Sequence, residues 1–148
     1  MNNESLQAPI ALVVDDHDAV RRALCDRIRT SFAQLQMREA GTVDEALRII
    51  DAEQVDIVLM DIRLPGRDGI DGTREVLERS PQTSVIVVSS FDDSIHRSAA
   101  SKAGAKAYVC KRALSRDLVP VLEELMGIGH AQASGKRAGE TVETALAA

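Results

Sequence analysis

The chain has 148 residues, with 18 Lys+Arg against 23 Asp+Glu and a formal net charge of −5 at pH 7, the size of one domain with a short extension. Hydrophobic residues make up 45% and charged residues 28%, which excludes the low-apolar, high-charge composition of a disordered chain. Aromatics are confined to Phe32, Phe91 and Tyr108, so a stacking platform for single-stranded nucleic acid is excluded, and the acidic balance argues against a phosphate-backbone binder.

Residues 1–8 read as an N-terminal arm: Met1-Asn2-Asn3-Glu4 has neither the basic region nor the apolar stretch of a signal peptide. No later apolar run reaches the ~18 residues of a spanning helix, and the chain is expected to be soluble and cytoplasmic. Apolar runs of strand length follow at Ile10 to Val14, Val55 to Met60, Val85 to Val88 and, weaker, Ala105 to Cys110, with a poorer strand at Gln36 to Ala40. The first three are nearly continuous in Val, Ile and Leu, as in parallel strands covered on both faces. Helical spacing lies between them: Ala19, Ala23, Leu24 and Ile28; then Val43, Ala46, Leu47 and Ile50; then Ile70, Val76 and Leu77. Thr42 with Glu45 forms a capping-box pair. Ser115 or Asp117 is expected to open the last helix, through Leu118, Val121, Leu122 and Leu125, with Pro120 near its first turn and Gly127 and Gly129 stopping it.

This βα alternation predicts an α/β, doubly wound (βα)5 flavodoxin-like three-layer sandwich around a five-stranded parallel sheet. Residues 127–148 are rich in Gly, Ala and small polar residues and read as a tail or truncated linker, in which 140–148 could form a loose helix. Cys25 and Cys110 match no metal or redox spacing and are expected to be reduced, buried small hydrophobes.

In such a sheet the strand ends meet in one crevice. They carry Asp15 and Asp16, Asp61, Ser89 and Ser90, and Lys111. Three carboxylates this close repel unless a divalent cation or a lysine compensates them, and oxygen-only donors suit Mg²⁺ or Mn²⁺. Such a cation leaves room for a phosphoryl group opposite one carboxylate, with Lys111 and Ser89 on its remaining oxygens. The pattern is that of phosphoryl transfer to an aspartate nucleophile.

The segments VVDDHDAVR, VDIVLMDIRLPGRDGI, VIVVSSFDD and AKAYVCKRAL resemble the receiver domain of bacterial two-component response regulators over residues 9–126. The D-x-x-L-P-G-x-D-G run from Asp61 is the most specific piece. VSSFDD and Lys111-Arg112-Ala113, without proline after the lysine, are similar to the NarL/LuxR-type branch. The resemblance implies that Asp61 is the phosphoacceptor, supplied by a sensor histidine kinase or phosphotransfer protein. It implies that Asp16 binds Mg²⁺ directly, Asp15 mainly through water, and the Arg63 carbonyl supplies a further ligand. Lys111 would pair with the phosphoryl group and Ser89 would donate to it. Tyr108 would be the rotamer switch that moves inward with Ser89, and the N–H groups of Ser90 and Arg63 would complete the shell. Arg63 and Phe91 stand where the family tunes phosphoryl loss, and their bulk predicts a persistent phosphoform.

Each role has a plainer rival. Lys111 could be a solvent-facing strand-end cation, Tyr108 a static half-buried core aromatic, and Ser89 a helix cap. Asp92 and Asp93 read as the cap and first turn of the next helix, His17 as an exposed loop residue, and His96 and His130 as surface residues. At the level of function the leading reading is a phosphoacceptor switch, not a turnover enzyme, acting through the surface around the fourth helix, fifth strand and fifth helix on a downstream output expected to be transcription. The alternatives are a phosphate-independent interaction module, or an aspartyl-phosphate phosphatase. The phosphatase lacks a lid and has Arg63 where its second acid would stand. A homodimer is plausible by resemblance, whereas nucleic-acid binding through these 148 residues is not expected.

Overall fold

The computed structural model describes residues 7–127. The elements run β1 Ile10–Val14, α1 Asp18–Ser31, β2 Gln36–Ala40, α2 Val43–Ala52, β3 Ile57–Met60, α3 Gly69–Arg79, β4 Ser84–Ser89, α4 Ser94–Ala103, β5 Ala107–Cys110, a 3-10 turn Lys111–Ala113, and α5 Leu114–Met126. The five strands are parallel, in the order β2-β1-β3-β4-β5. The expected (βα)5 flavodoxin-like sheet is the one observed.

Alternate strand residues face opposite layers. Ala11, Val13, Leu59, Ile86 and Val109 pack on Leu24, Cys25 and Ile28 of α1 and on Leu118, Val121 and Leu122 of α5. Leu12, Val14, Val58 and Met60 pack on α2 and Val76 of α3, while Val87 and Tyr108 meet Ala100 and Ala103 of α4. Full covering explains why β1, β3 and β4 read as continuous apolar runs. The weaker signal of β2 has a positional cause: it is an edge strand, with Gln36 and Glu39 exposed.

Side-chain caps set the helix starts on the functional edge. The Thr42 hydroxyl accepts from the Glu45 N–H at 3.1 Å, but the Glu45 carboxylate reaches past Thr42 to accept from the Gly41 N–H at 2.7 Å, so the box closes one residue early. Asp68 accepts from the N–H groups of Ile70 and Asp71, both at 2.9 Å, and Asp93 from that of His96 at 2.8 Å. Each cap satisfies donors that have no partner inside the helix.

The fifth helix departs from expectation. The 3-10 turn after β5 runs straight into Leu114, whose N–H bonds the Lys111 carbonyl, so neither Ser115 nor Asp117 is a cap. Pro120 therefore lies inside the helix, not near its first turn. Strands β3 and β5 are also shorter than their apolar runs. Val55 is fully buried ahead of β3, and Ala105 is buried ahead of β5. The expected tail, and His130 with it, lies beyond the described residues apart from Gly127.

Candidate functional site

Strands β1 and β3 are the neighbours from which the chain winds in opposite directions, so the crevice opens where they end. The Asp15 N–H bonds the Ala40 carbonyl and the Asp61 N–H the Val14 carbonyl, both at 3.0 Å, which carries the ladder to the carboxylates themselves. Asp15 and Asp61 have side chains only 2% and 7% exposed. Lys111, the first residue after β5, places Nζ 3.0 Å from an oxygen of each. Burial pushes the Asp61 carboxyl above its ordinary value, Asp15 adds to the rise, and the Lys111 ammonium opposes it. Burial also works against the Lys111 charge, but the two carboxylates outweigh it and hold that pKa above its usual value.

Approach to Asp61 is set by the next loop. A Cβ at Gly69 would stand 1.8 Å from the Asp61 carbonyl oxygen, and the Gly69 N–H bonds the Ile62 carbonyl at 2.8 Å. Only glycine allows α3 to start so close behind Asp61. Gly66, at φ +88°, turns the same loop. Arg67 ties it down through ion pairs to Asp44 of α2 and Glu75 of α3.

Asp16 is more open than Asp15, and His17 lies beside both, with Nδ1 3.2 Å from Asp16 and 3.4 Å from Asp15. Ligand atoms of Asp15, Asp16, His17 and Asp61 all fall within 4.8 Å of one another, a group that could hold a metal ion. Three carboxylates face one ammonium, which leaves negative charge for a cation, and the oxygen donors suit a hard divalent ion. The donor set fits.

On the opposite wall, Ser89 is buried and its hydroxyl accepts from the Phe91 N–H at 3.0 Å. Tyr108 is 1% exposed and its phenol donates to the Phe91 carbonyl at 2.7 Å. Burial raises the Tyr108 pKa, with hydrogen bonding from Ser89 and the charge of Arg97 pulling against it. The Arg63 guanidinium lies 4.8 Å above the Phe91 ring, which stacks on His96 with centroids 4.1 Å apart and planes within 2°.

The family model of the response regulator receiver domain matches residues 11–123. The chain belongs to that family. The transcriptional regulatory protein YhcZ of Bacillus subtilis is 38% identical over 108 residues, covering 73% of this chain and 50% of the relative. The DNA-binding transcriptional activator DevR/DosR of Mycobacterium tuberculosis is 32% identical over 113 residues, covering 76% and 52%. This receiver thus spans about half the length of the curated relatives it matches. Among solved structures, a LuxR-family response regulator from an Aurantimonas species superposes with a TM-score of 0.75 at 31% identity, covering 80% of this chain and 85% of that one. Its family is the branch that the Val88–Asp93 and Lys111–Ala113 segments resemble. No helix among the described residues is long and apolar enough to cross a membrane.

Within this receiver domain Asp15, Asp16, Asp61 and Lys111 converge, and the solvent-facing alternative for Lys111 does not hold. Ser89 and Tyr108 converge instead on the backbone of Phe91, at its N–H and its carbonyl; Tyr108 is buried, not half-buried, and its side chain is already inside. Ser90 is exposed, and the Arg63 side chain lies over Phe91. Asp93 is the N-cap of α4, but Asp92 precedes that helix and takes Arg97 and Arg112. His96, expected at the surface, is half-buried in the Phe91 stack. His17 is exposed as a side chain yet sits against the acid pair. Two residues passed unnoticed in the sequence. Arg21 donates to the Asp15 carbonyl at 2.8 Å while pairing with Asp18 and Glu39, and Arg97 lies 4.7 Å over the Tyr108 ring. Spacing offered a partial signal for Arg21, which follows Asp18 by one turn; Arg97 pairs with Asp92, five residues back and ahead of the helix, and spacing gives no signal for its place over Tyr108.

Proposed function

We propose that this receiver is a phosphoacceptor switch in which Asp61 takes a phosphoryl group from the phosphohistidine of a sensor histidine kinase or phosphotransfer protein. The observation that carries the reading is the Lys111 ammonium held 3.0 Å from both Asp15 and Asp61 at the ends of three strands. An Asp61 carboxylate oxygen attacks phosphorus, the P–N bond breaks, and the donor imidazole leaves with its electron pair and takes up a proton. Lys111 exchanges one carboxylate partner for a phosphoryl oxygen. The Ser89 hydroxyl, whose oxygen already accepts from the Phe91 N–H, has its proton to donate to another. The N–H groups of Arg63 and Ser90 complete the shell. Asp15, Asp16, Asp61 and the Arg63 carbonyl would hold Mg²⁺ or Mn²⁺. When bound, this ion neutralises charge developing on the phosphoryl oxygens.

The result is a shift between two packings, read at the surface of α4, β5 and α5 by a downstream output that we assign to transcription on the strength of the relatives' names. In this reading residues 9–126 are the switching unit, 1–8 an arm and 127–148 a tail or linker. The protein works in the cytoplasm, contacts nucleic acid through none of these residues, and has a homodimer as a candidate active form. The test is intact-mass spectrometry after incubation with acetyl phosphate, with and without Mg²⁺, on wild type and Asp61→Asn. A single phosphoryl adduct requiring both Mg²⁺ and Asp61 is expected. No adduct under any condition would turn the assignment to a phosphate-independent interaction module.

A further inference from the structure

The first turn of α4 makes two aromatic contacts from adjacent residues. His96 stacks on Phe91 at 4.1 Å, and the Arg97 guanidinium lies 4.7 Å over Tyr108. Each is held by its own aspartate from the preceding loop. His96 Nδ1 is 2.8 Å from Asp93, which also caps the helix, and Arg97 donates to Asp92 at 2.8 Å. The two aromatics are joined by the Tyr108 phenol donating to the Phe91 carbonyl, and the N–H of Phe91 is the group bonded to Ser89. The Phe91 backbone therefore accepts a hydrogen bond from Tyr108 at its carbonyl and gives one to Ser89 from its N–H, on the two peptide groups that flank its Cα, while both rings concerned are gripped by α4.

We propose that His96 and Arg97 are positioning residues for Ser89 and Tyr108, acting through Phe91, so that the first turn of α4 and the phosphoryl-facing hydroxyl move as one unit. The proposal deepens the phosphoacceptor reading and rests on Ser89 serving the phosphoryl group. The physical argument is geometric. A ring stacked on His96 and contacted as well by the Arg63 guanidinium, 4.8 Å from its centroid, has little freedom to tilt, so the Phe91 N–H and carbonyl are fixed in direction. Any displacement of the Ser89 oxygen towards Asp61 must then either drag Phe91, and with it α4, or break the 3.0 Å bond. The coupling is reciprocal: a partner that shifts the first turn of α4 alters how well Ser89 is presented.

Two measurements on the full chain test this. In the free protein, Ser89→Ala should move the His96 imidazole NMR signals, assigned by their loss in His96→Gln, and should fail to move them in a Phe91→Leu background. His96 signals indifferent to Ser89→Ala would overturn the proposal. In phosphorylation by acetyl phosphate with Mg²⁺, His96→Ala should lower the rate at saturating donor about fivefold, the size of effect a lost aromatic stack produces, with half-saturation unchanged. His96→Phe, which keeps the stack, should restore it. In a Ser89→Ala background His96→Ala should have no further effect, whereas the same fivefold loss there would mark a merely structural role and overturn the proposal. A wild-type chain that took no phosphoryl group would overturn the phosphoacceptor reading instead, and the NMR comparison, which needs no phosphate, would still decide whether α4 and Ser89 are coupled.

Discussion

At the scale of single residues the site is a balance of buried charge, and its two main members move in the same direction on the pH axis for different reasons. Burial raises the Asp61 pKa above its ordinary 3.8, so the folded state binds that proton more tightly than the unfolded chain does. The stability it contributes is complete below about 3.8 and is lost as pH rises through the folded value. Asparagine mimics the protonated form at every pH. Urea denaturation across a pH series should therefore show Asp61→Asn level with wild type in acid and more stable at neutral pH; a variant less stable at pH 7 would contradict the burial of that charge. Lys111, raised by its two carboxylates, contributes stability present below its ordinary 10.5 and lost as pH climbs through the higher folded value. Replacing it by methionine keeps the stem and leaves Asp15 and Asp61 facing each other. A loss of about 3 kcal/mol is expected, recovered in part by millimolar Mg²⁺, which compensates the same carboxylates and binds the folded state alone. Equal losses with and without Mg²⁺ would disconnect the acid pair from the metal.

At the scale of elements, the fifth helix carries an internal defect that the sequence places differently. Pro120 lies mid-helix and gives the Arg116 carbonyl no N–H partner, a feature that costs up to about 3 kcal/mol in a helix interior. The position is exposed, so water meets part of that loss. Pro120→Ala should raise stability by about 1–3 kcal/mol, read as a higher urea midpoint at unchanged m-value. A lower midpoint would mean that the proline itself helps to seat Leu118, Val121 and Leu122 on the sheet. The misplacement has a clear origin. The 3-10 turn at Lys111–Ala113 has no compositional mark, whereas Ser115 and Asp117 look like caps, so the sequence places the helix start too late. By contrast β1, β3 and β4 were legible because burial on both faces writes itself as unbroken Val, Ile and Leu. The four charged groups of the site were legible because parallel topology alone brings strand ends together. The stacks of His96 on Phe91 and Arg97 on Tyr108 were not, since they depend on the direction in which α4 leaves its Asp93 cap, which residue spacing does not encode.

At the scale of the molecule, the sheet separates what should respond to phosphorylation from what should not. Ser89, Phe91, Tyr108 and the start of α4 form one connected set at the β4-β5 edge, and Lys111, the residue after β5, bonds Asp61. The α2 layer lies at the other edge, where Leu47 and Ile50 pack in a core shared with β1, β3 and Val76. A phosphoryl mimic at Asp61 interacts differently with the two packings only through groups that reach it, and the population can shift only by that difference. Hydrogen exchange with and without beryllofluoride and Mg²⁺ should therefore change across the loop and first turn of α4 (89–97) and across β5 and the 3-10 turn (107–113), with amides of α2 (43–52) unaltered. The response should vanish in Asp61→Asn, which keeps the fold but lacks the carboxylate to which the mimic attaches. Changes spread evenly over both edges would indicate global stabilisation by ligand binding and would remove the case for a directed switch. Confinement to the β4-β5 edge would locate the surface on which an output partner reads the state of Asp61.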